Sequence, residues 1–154
     1  MKRREIFKKI LGAKDAPKTI NPPYFSGVFD CIDCSASCVK SCERELLSFD
    51  DVSVSFSVKN LGCNFCKKCA LACEDLGKDV LNLKHEAKIE AKTSIDVSTC
   101  LAWSGVVCSS CLDSCRYKGI DFLGLFRPVI NQNCINCGEC LNVCFKGSIK
   151  MQGI

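Results

Sequence analysis

Hydrophobic and polar residues alternate in short runs along most of the chain, and no run is long enough for an extended helix. Val52-Ser-Val54-Ser-Phe56-Ser-Val58 alternates strictly, the period of a half-buried strand. Ile95-Asp-Val97 and Val129-Ile130 lead into cysteine-rich segments in the same manner, and short strand-like stretches follow at Gly119-Ile-Asp-Phe122 and Ser148-Ile-Lys-Met151. Cys69-Ala-Leu-Ala-Cys73-Glu-Asp-Leu76 is compatible with a helix. The pattern predicts loop, short helix and strand, repeated. Near the start, Ile6, Phe7, Ile10 and Leu11 form a helical stripe over residues 1–11, too short to be stable alone in water. Pro17, Pro22 and Pro23, flanked by Gly12 and Gly27, predict an extended connector over residues 12–27. No stretch approaches the roughly 18 apolar residues that span a bilayer.

Cysteine changes this picture most. The 154 residues contain 16 cysteines, a density found in disulfide scaffolds and in metal proteins. Lys2–Lys9 is basic, but only Ile10-Leu11 follows before Gly12, whereas a secretory signal needs about 7–15 apolar residues there. Lys2-Arg3-Arg4-Glu5-Ile6-Phe7-Lys8 has the outline of a twin-arginine signal without the apolar segment. The expected location is the cytoplasm, where paired disulfides do not persist.

The cysteines fall into four quartets: Cys31-Cys34-Cys38-Cys42, Cys63-Cys66-Cys69-Cys73, Cys100-Cys108-Cys111-Cys115 and Cys134-Cys137-Cys140-Cys144. The second and fourth read C-x2-C-x2-C-x3-C. Three cysteines at that interval suit a loop wrapping one face of an iron–sulfur cubane, and the fourth ligates the other cluster of a pair. Zinc sites use two separated pairs, leaving the third cysteine over. Twenty residues separate Cys42 from Cys63, eighteen separate Cys115 from Cys134, and twenty-six separate Cys73 from Cys100. The two shorter gaps approach those of two-cluster bacterial ferredoxins. The expected fold is therefore α+β, with two tandem bacterial 2[4Fe–4S] ferredoxin-like modules at 28–90 and 91–154. Short helices and small antiparallel strands build each module, after a basic tail and Pro-rich connector at 1–27.

Four [4Fe–4S] clusters follow. Cys31, Cys34, Cys38 and Cys73 hold the first; Cys63, Cys66, Cys69 and Cys42 the second. Cys100, Cys108, Cys111 and Cys144 hold the third; Cys134, Cys137, Cys140 and Cys115 the fourth. A nested pairing, quartet one with four and two with three, stays open. The first quartet carries one extra residue between Cys34 and Cys38, which makes its cluster the most labile of the four. The third contains a seven-residue loop, Leu101 to Val107, whose Trp103 either packs or shields a cluster from water. Each module has too few residues for a large apolar core, so metal binding and folding should be one event. His85 lies in the charged run Lys84–Glu90, a solvated face, and no phosphate loop, nucleophile triad or flavin motif appears. The chain is not expected to be an enzyme.

The formal charge is +4, but four-thiolate clusters of about −2 each would bring the loaded chain to about −4. Residues 1–20 hold seven Lys/Arg against two Asp/Glu. A basic tail on an acidic body does not suit a nucleic-acid binder, which shows basic clusters over a face. It suits a tail that docks on a protein partner.

Several segments resemble the NapF ferredoxins, accessory proteins of periplasmic nitrate reductase. Asn21-Pro-Pro-Tyr24 is similar to their Arg-Pro-Pro-aromatic connector, and Cys31-Ile-Asp-Cys34 runs into Ser-Cys38-Val-Lys-Ser-Cys42-Glu43 in their style. Asn64-Phe65, Lys67-Lys68 and Ala70-Leu-Ala-Cys73 match in the second quartet. The most specific likeness is Cys100-Leu-Ala-Trp-Ser-Gly-Val-Val-Cys108-Ser-Ser-Cys111-Leu-Asp-Ser-Cys115, with its long first loop. Glu74 and Phe145 stand where proline often follows the last cysteine, a position that is not a ligand. The resemblance implies a cytoplasmic four-cluster protein that binds the precursor of the nitrate reductase catalytic subunit and helps mature its iron–sulfur cluster or supplies electrons. Residues 1–20 are the expected docking segment. The alternative is a ferredoxin or subunit of an anaerobic respiratory chain, linking a quinol-oxidising complex to a terminal reductase. A zinc or scaffold protein is the third possibility, opposed by the complete quartets.

Overall fold

The computed structural model describes residues 18–154, so the helix expected over 1–11 and most of the basic tail lie outside the described residues. Four short helices and six strands alternate along these residues: α1 (Ser37–Lys40), β1 (Leu47–Phe49), β2 (Val54–Phe56), α2 (Lys68–Glu74), β3 (Ala91–Ile95), α3 (Ser110–Ser114), β4 (Ile120–Leu123), β5 (Arg127–Ile130), α4 (Glu139–Val143) and β6 (Ile149–Gly153). This is a small mixed fold with brief helices and antiparallel strands, as in ferredoxins.

The same local plan occurs in both halves. After the first cysteine quartet, β1 and β2 form an antiparallel hairpin with Leu47 opposite Phe56 and Phe49 opposite Val54. After the third, β4 and β5 do the same, with Ile120 opposite Ile130 and Leu123 opposite Arg127. In each half the two helices pack on each other, α1 on α2 and α3 on α4. Each half is also closed by its own ends. In the first, the Ser26 N–H donates to the Val80 carbonyl at 2.9 Å and the Asn82 N–H to the Tyr24 carbonyl at 2.8 Å. In the second, β3 pairs along its length with β6, Ala91 opposite Gly153 and Ile95 opposite Ile149.

The alternation over Val52–Val58 becomes a shorter strand than its pattern predicts. Asp50 Oδ1 accepts the Val52 N–H at 3.2 Å and the Ser53 N–H at 2.6 Å, so Val52 belongs to a turn closed by an aspartate side chain. Val54 and Phe56 then bury the inward face. The connector expected to be extended over 12–27 is described only from residue 18; there it turns at Pro23–Tyr24, with Tyr24 at φ 65°, and packs inward, with Pro22 and Pro23 fully buried, Tyr24 buried and Ile20 bridging to Phe56.

Burial is unequal between the halves. Tyr24, Leu46, Leu47, Val54, Phe56, Ala70, Val80, Leu81 and Ile89 surround Cys31, Cys38, Cys69 and Cys73 in one core. The second core has only Ile120, Cys140 and Ile149 as buried members, with half-buried neighbours such as Ile95, Phe122 and Ile130. Three clustered side chains, with scattered buried residues such as Cys100, Ala102 and Pro128, cannot offset the conformational entropy of some sixty ordered residues at about 1–2 kcal/mol each. Something other than apolar packing must hold this half together.

Candidate metal centres

All sixteen cysteines are unpaired thiols, and only Cys66 is exposed. The chain brings them together in fours. Cys42, Cys63, Cys66 and Cys69 line one cavity, walled by Tyr24, Leu46 and Phe65. Cys100, Cys108, Cys111 and Cys144 line a second, with Ile95, Pro128 and Ile149. Cys115, Cys134, Cys137 and Cys140 line a third, with Tyr117, Ile120 and Ile130. Cys31, Cys34, Cys38 and Cys73 are electrostatic neighbours of one another. In every group, three cysteines come from one quartet and one from the next or preceding quartet. Among the described residues, no three His, Cys, Asp or Glu side chains converge tightly enough for a single metal ion. A cubane takes its thiolates further apart than one ion does.

The loops that carry the first cysteines are built on left-handed residues. Phe65 (φ 53°) and Lys67 (φ 68°) flank Cys66, and Asn136 (φ 58°) and Gly138 (φ 82°) flank Cys137. Asp33 (φ 57°) precedes Cys34. Successive residues of this kind turn backbone N–H groups toward the concave side of a loop, a cradle that favours an anion. The extra residue of the first quartet is absorbed here. The left-handed position moves from directly after the second cysteine to Ala36 (φ 53°), the N-cap of α1, and Cys38 stays buried.

The fourth cysteine of each quartet shows a second repeated device. Cys42 Sγ accepts the Leu46 N–H at 3.5 Å, Cys73 Sγ the Leu81 N–H at 3.4 Å, Cys115 Sγ the Gly119 N–H at 3.2 Å, and Cys144 Sγ the Ser148 N–H at 3.2 Å. In three of the four, a left-handed residue three positions after the cysteine reverses the chain: Glu45, Lys118 and Gly147. In these three the donor is the next residue along. After Cys73 the reversal comes at Gly77, one position later, and the loop is longer. A backbone N–H aimed at sulfur favours the thiolate over the thiol.

Without metal, Cys31, Cys38, Cys63, Cys69, Cys111, Cys137 and Cys140 resist ionisation. Burial pushes Cys69 up to about 12, with Cys63, Cys66 and Cys42 adding repulsion. Burial does the same to Cys140, also to about 12, with Cys137, Cys134 and Cys115 beside it. Cys38 and Cys63 rise to about 11 for the same first reason. Cys144 moves the other way. Burial raises it, but the backbone N–H groups of Ser148 and Ile149 outweigh burial and pull it below the usual thiol value. The Ser148 side chain is fully buried in the cavity wall, and its Oγ meets no partner with hydrogen-bond geometry. Four crowded thiols, inward-turned amides and an orphaned hydroxyl fit an iron–sulfur cluster, whose iron displaces the protons and whose sulfur takes the donors.

Trp103 does not line the cavity of Cys100. Its Nε1 donates to the Pro128 carbonyl at 3.1 Å and Arg127 lies over its ring at 5.4 Å, so it packs on the β4–β5 hairpin. Ala102 and Leu101 line the cavity in its place. His85 is exposed, as its charged surroundings predict.

Thiol constellations in a small α+β frame of paired hairpins define a ferredoxin-type iron–sulfur protein. The comparison with known proteins is more particular. Over 141 residues, 85% of this chain and 83% of the relative, the sequence is 30% identical to the ferredoxin-type protein NapF of Escherichia coli K12, and equally to that of strain O157:H7. The chain belongs to the NapF family of ferredoxin-type proteins. It is also similar to the methylamine utilization ferredoxin-type protein MauM of Paracoccus denitrificans, 28% identical over 76% of this chain and 61% of the relative. A search of family models found no match. Among the described residues, no helix is long and apolar enough to cross a membrane.

Proposed function

We propose that the chain is a four-cluster accessory ferredoxin that binds the catalytic subunit of periplasmic nitrate reductase before its export and assists its iron–sulfur maturation or supplies electrons to it. The work is cytoplasmic. Two tandem modules, 28–90 and 91–154, each hold two [4Fe–4S] clusters. The first takes Cys31, Cys34, Cys38 and Cys73; the second Cys63, Cys66, Cys69 and Cys42. The third takes Cys100, Cys108, Cys111 and Cys144; the fourth Cys134, Cys137, Cys140 and Cys115. Each cluster supplies reversible one-electron storage at a potential set by the hydrogen bonds and exposure around it. The first, reached through the irregular quartet, is the most easily lost.

The observation that carries this reading is the exchange of fourth cysteines. Cys42 shares a cavity with Cys63, Cys66 and Cys69, and Cys115 with Cys134, Cys137 and Cys140, which favours tandem over nested pairing. The client is suggested by the family. Docking is assigned to residues 1–20, with seven cationic side chains against two anionic ones.

Iron and acid-labile sulfide in anaerobically purified protein test the cofactor. About sixteen of each per chain are expected, and about twelve would mean that one centre is absent. Co-purification with the nitrate reductase catalytic subunit tests the client. Deleting residues 1–20 should abolish it while leaving iron unchanged; equal binding after deletion would remove the tail from the proposal. A second reading, an electron carrier between a quinol-oxidising complex and a terminal reductase, draws on the likeness to MauM, whose name assigns it to a different system. Failure to bind the subunit, with all four clusters present, would leave that reading in its place.

A further inference from the structure

Nothing in the pairing of quartets requires the two halves to communicate, because each could hold two clusters and act alone. The structure brings two of the cluster loops into direct contact. The Cys63 N–H donates to the Cys137 carbonyl at 2.7 Å, and these cysteines belong to different cavities. A chain of covalent bonds and one short hydrogen bond therefore joins sulfur to sulfur, from Cys63 Sγ through its backbone to Cys137 Sγ. Phe65, in the wall of the first of these cavities, meets Tyr117, in the wall of the other, edge to face at 6.0 Å between ring centroids.

The contact is held by groups with no other evident task. Glu139 Oε2 accepts the Gly62 N–H at 3.0 Å and an Arg44 N–H at 3.3 Å, and Arg44 also donates to the Gly62 carbonyl. Arg44 and Glu139 come from opposite halves, and both are largely shielded from water, at 21% and 20% exposure. Arg116 adds a weaker contact to Glu139 at 3.7 Å. Residue 62 has to be glycine. A Cβ there would lie 2.7 Å from both the Cys137 carbonyl oxygen and the Glu139 Cα, closer than atoms can approach. The loops are pressed together backbone to backbone, closer than any side chain would permit.

We infer that electrons cross between the halves at the Cys63–Cys137 contact, so that the four centres form one path in the order first, second, fourth, third. Tunnelling decays exponentially with distance, and less steeply through bonds than through space. A short bonded bridge therefore outcompetes any route across solvent. The cavity containing Cys100 is lined wholly by residues 95–149, and the strongest electrostatic neighbours of Cys31 and Cys38 all come from the first half. These two centres are the ends of the path, where an external one-electron donor and acceptor would exchange. At each transfer one centre is oxidised as its neighbour is reduced, and no proton or bond changes. The inference rests on the four-cluster reading above.

The test mixes the fully loaded chain with less than one equivalent of dithionite, freezes it at intervals and follows the EPR spectrum. In the native chain the spectrum should reach its final form at the earliest time. Gly62→Ala, which forces the loops apart, should reach the same final spectrum several-fold later. Arg44→Gln, which loosens the clamp without adding bulk, should do so to a smaller degree and serves if Gly62→Ala does not load. Redistribution at the native rate in a fully loaded variant would overturn the path. Native protein with fewer than about sixteen irons would instead overturn the four-cluster reading.

Discussion

Gly119 offers a sharp test of how the fourth centre is assembled, because one methyl group should disturb two of its cysteines. The Gly119 N–H donates to Cys115 Sγ at 3.2 Å, and its carbonyl accepts the Asn131 N–H at 3.0 Å. The residue is buried, and a Cβ added to it would lie 2.8 Å from Cys134 Cα and 3.1 Å from both Cys134 Cβ and Cys134 N. Carbon atoms settle at about 3.5–4.0 Å, so Gly119→Ala must move one backbone against the other by up to about 1 Å. Cys134 cannot easily yield, since its N–H is tied to the Asn131 carbonyl at 3.2 Å. Overpacking of this kind costs about 1–3 kcal/mol, equivalent to a loss of about 5- to 150-fold in cluster retention.

The assay is iron per chain and the rate at which a chelator bleaches the cluster absorbance. Gly119→Ala should carry about twelve irons in place of about sixteen, or lose its first few irons to the chelator within that range of acceleration. Leu125→Ala, at an 82% exposed residue of the β4–β5 turn, should behave as the native chain. Full loading together with native bleaching of Gly119→Ala would refute the reasoning, for it would mean that Cys134 does not need its present place.

Other tests address the remaining devices. Ser148→Ala removes the buried hydroxyl beside Cys144 while keeping the backbone N–H. One centre should shift to a more negative potential, by roughly 40 mV for each kcal/mol of donor stabilisation lost in a one-electron couple, with iron unchanged; four native potentials would count against the role. Because iron displaces thiol protons, its affinity should rise with pH wherever the metal-free thiols are protonated. Burial raises several thiols of the folded chain, Cys69 and Cys140 to about 12, so a metal-free chain that stays folded would go on gaining affinity up to that pH. A chain that unfolds on losing iron should level off near the ordinary thiol value of about 8.5, and this is the expected result in a competition titration. In circular dichroism, chelation should erase the signal of Ile120–Ile130 and Ala91–Gly153 pairing; a native spectrum without iron would contradict the dependence of the thin second core on its clusters.

The elements that could be read from the chain are those encoded locally. Val54 and Phe56 announce β2 by alternation, and Ala70 between Cys69 and Cys73 announces α2. What pairs with what is another matter. β3 meets β6 across more than fifty residues, and no local pattern specifies a partner at that range. Trp103 illustrates the limit: its neighbourhood in sequence is a cysteine loop, but its partner is the carbonyl of Pro128. The Arg44–Glu139 clamp was invisible for the same reason, each residue being an ordinary charge beside a cysteine.

The left-handed residues failed to register for a different reason, and there the sequence did hold a signal. Phe65, Lys67, Glu45 and Lys118 are not residue types that advertise a positive φ. Aligning the quartets on their cysteines, however, puts Lys67 against Gly138, and Glu45 and Lys118 against Gly147. Where a repeat shows glycine in one copy, the backbone demand belongs to every copy, even where another side chain bears the strain. An αL position costs a non-glycine residue roughly 1–2 kcal/mol, and the protein accepts that cost at several loop positions because each aims an N–H group at a cysteine loop or sulfur. The strain is useful only if something anionic receives those donors. The backbone and the thiols thus make the same demand independently, and an iron–sulfur cluster is the occupant that meets both.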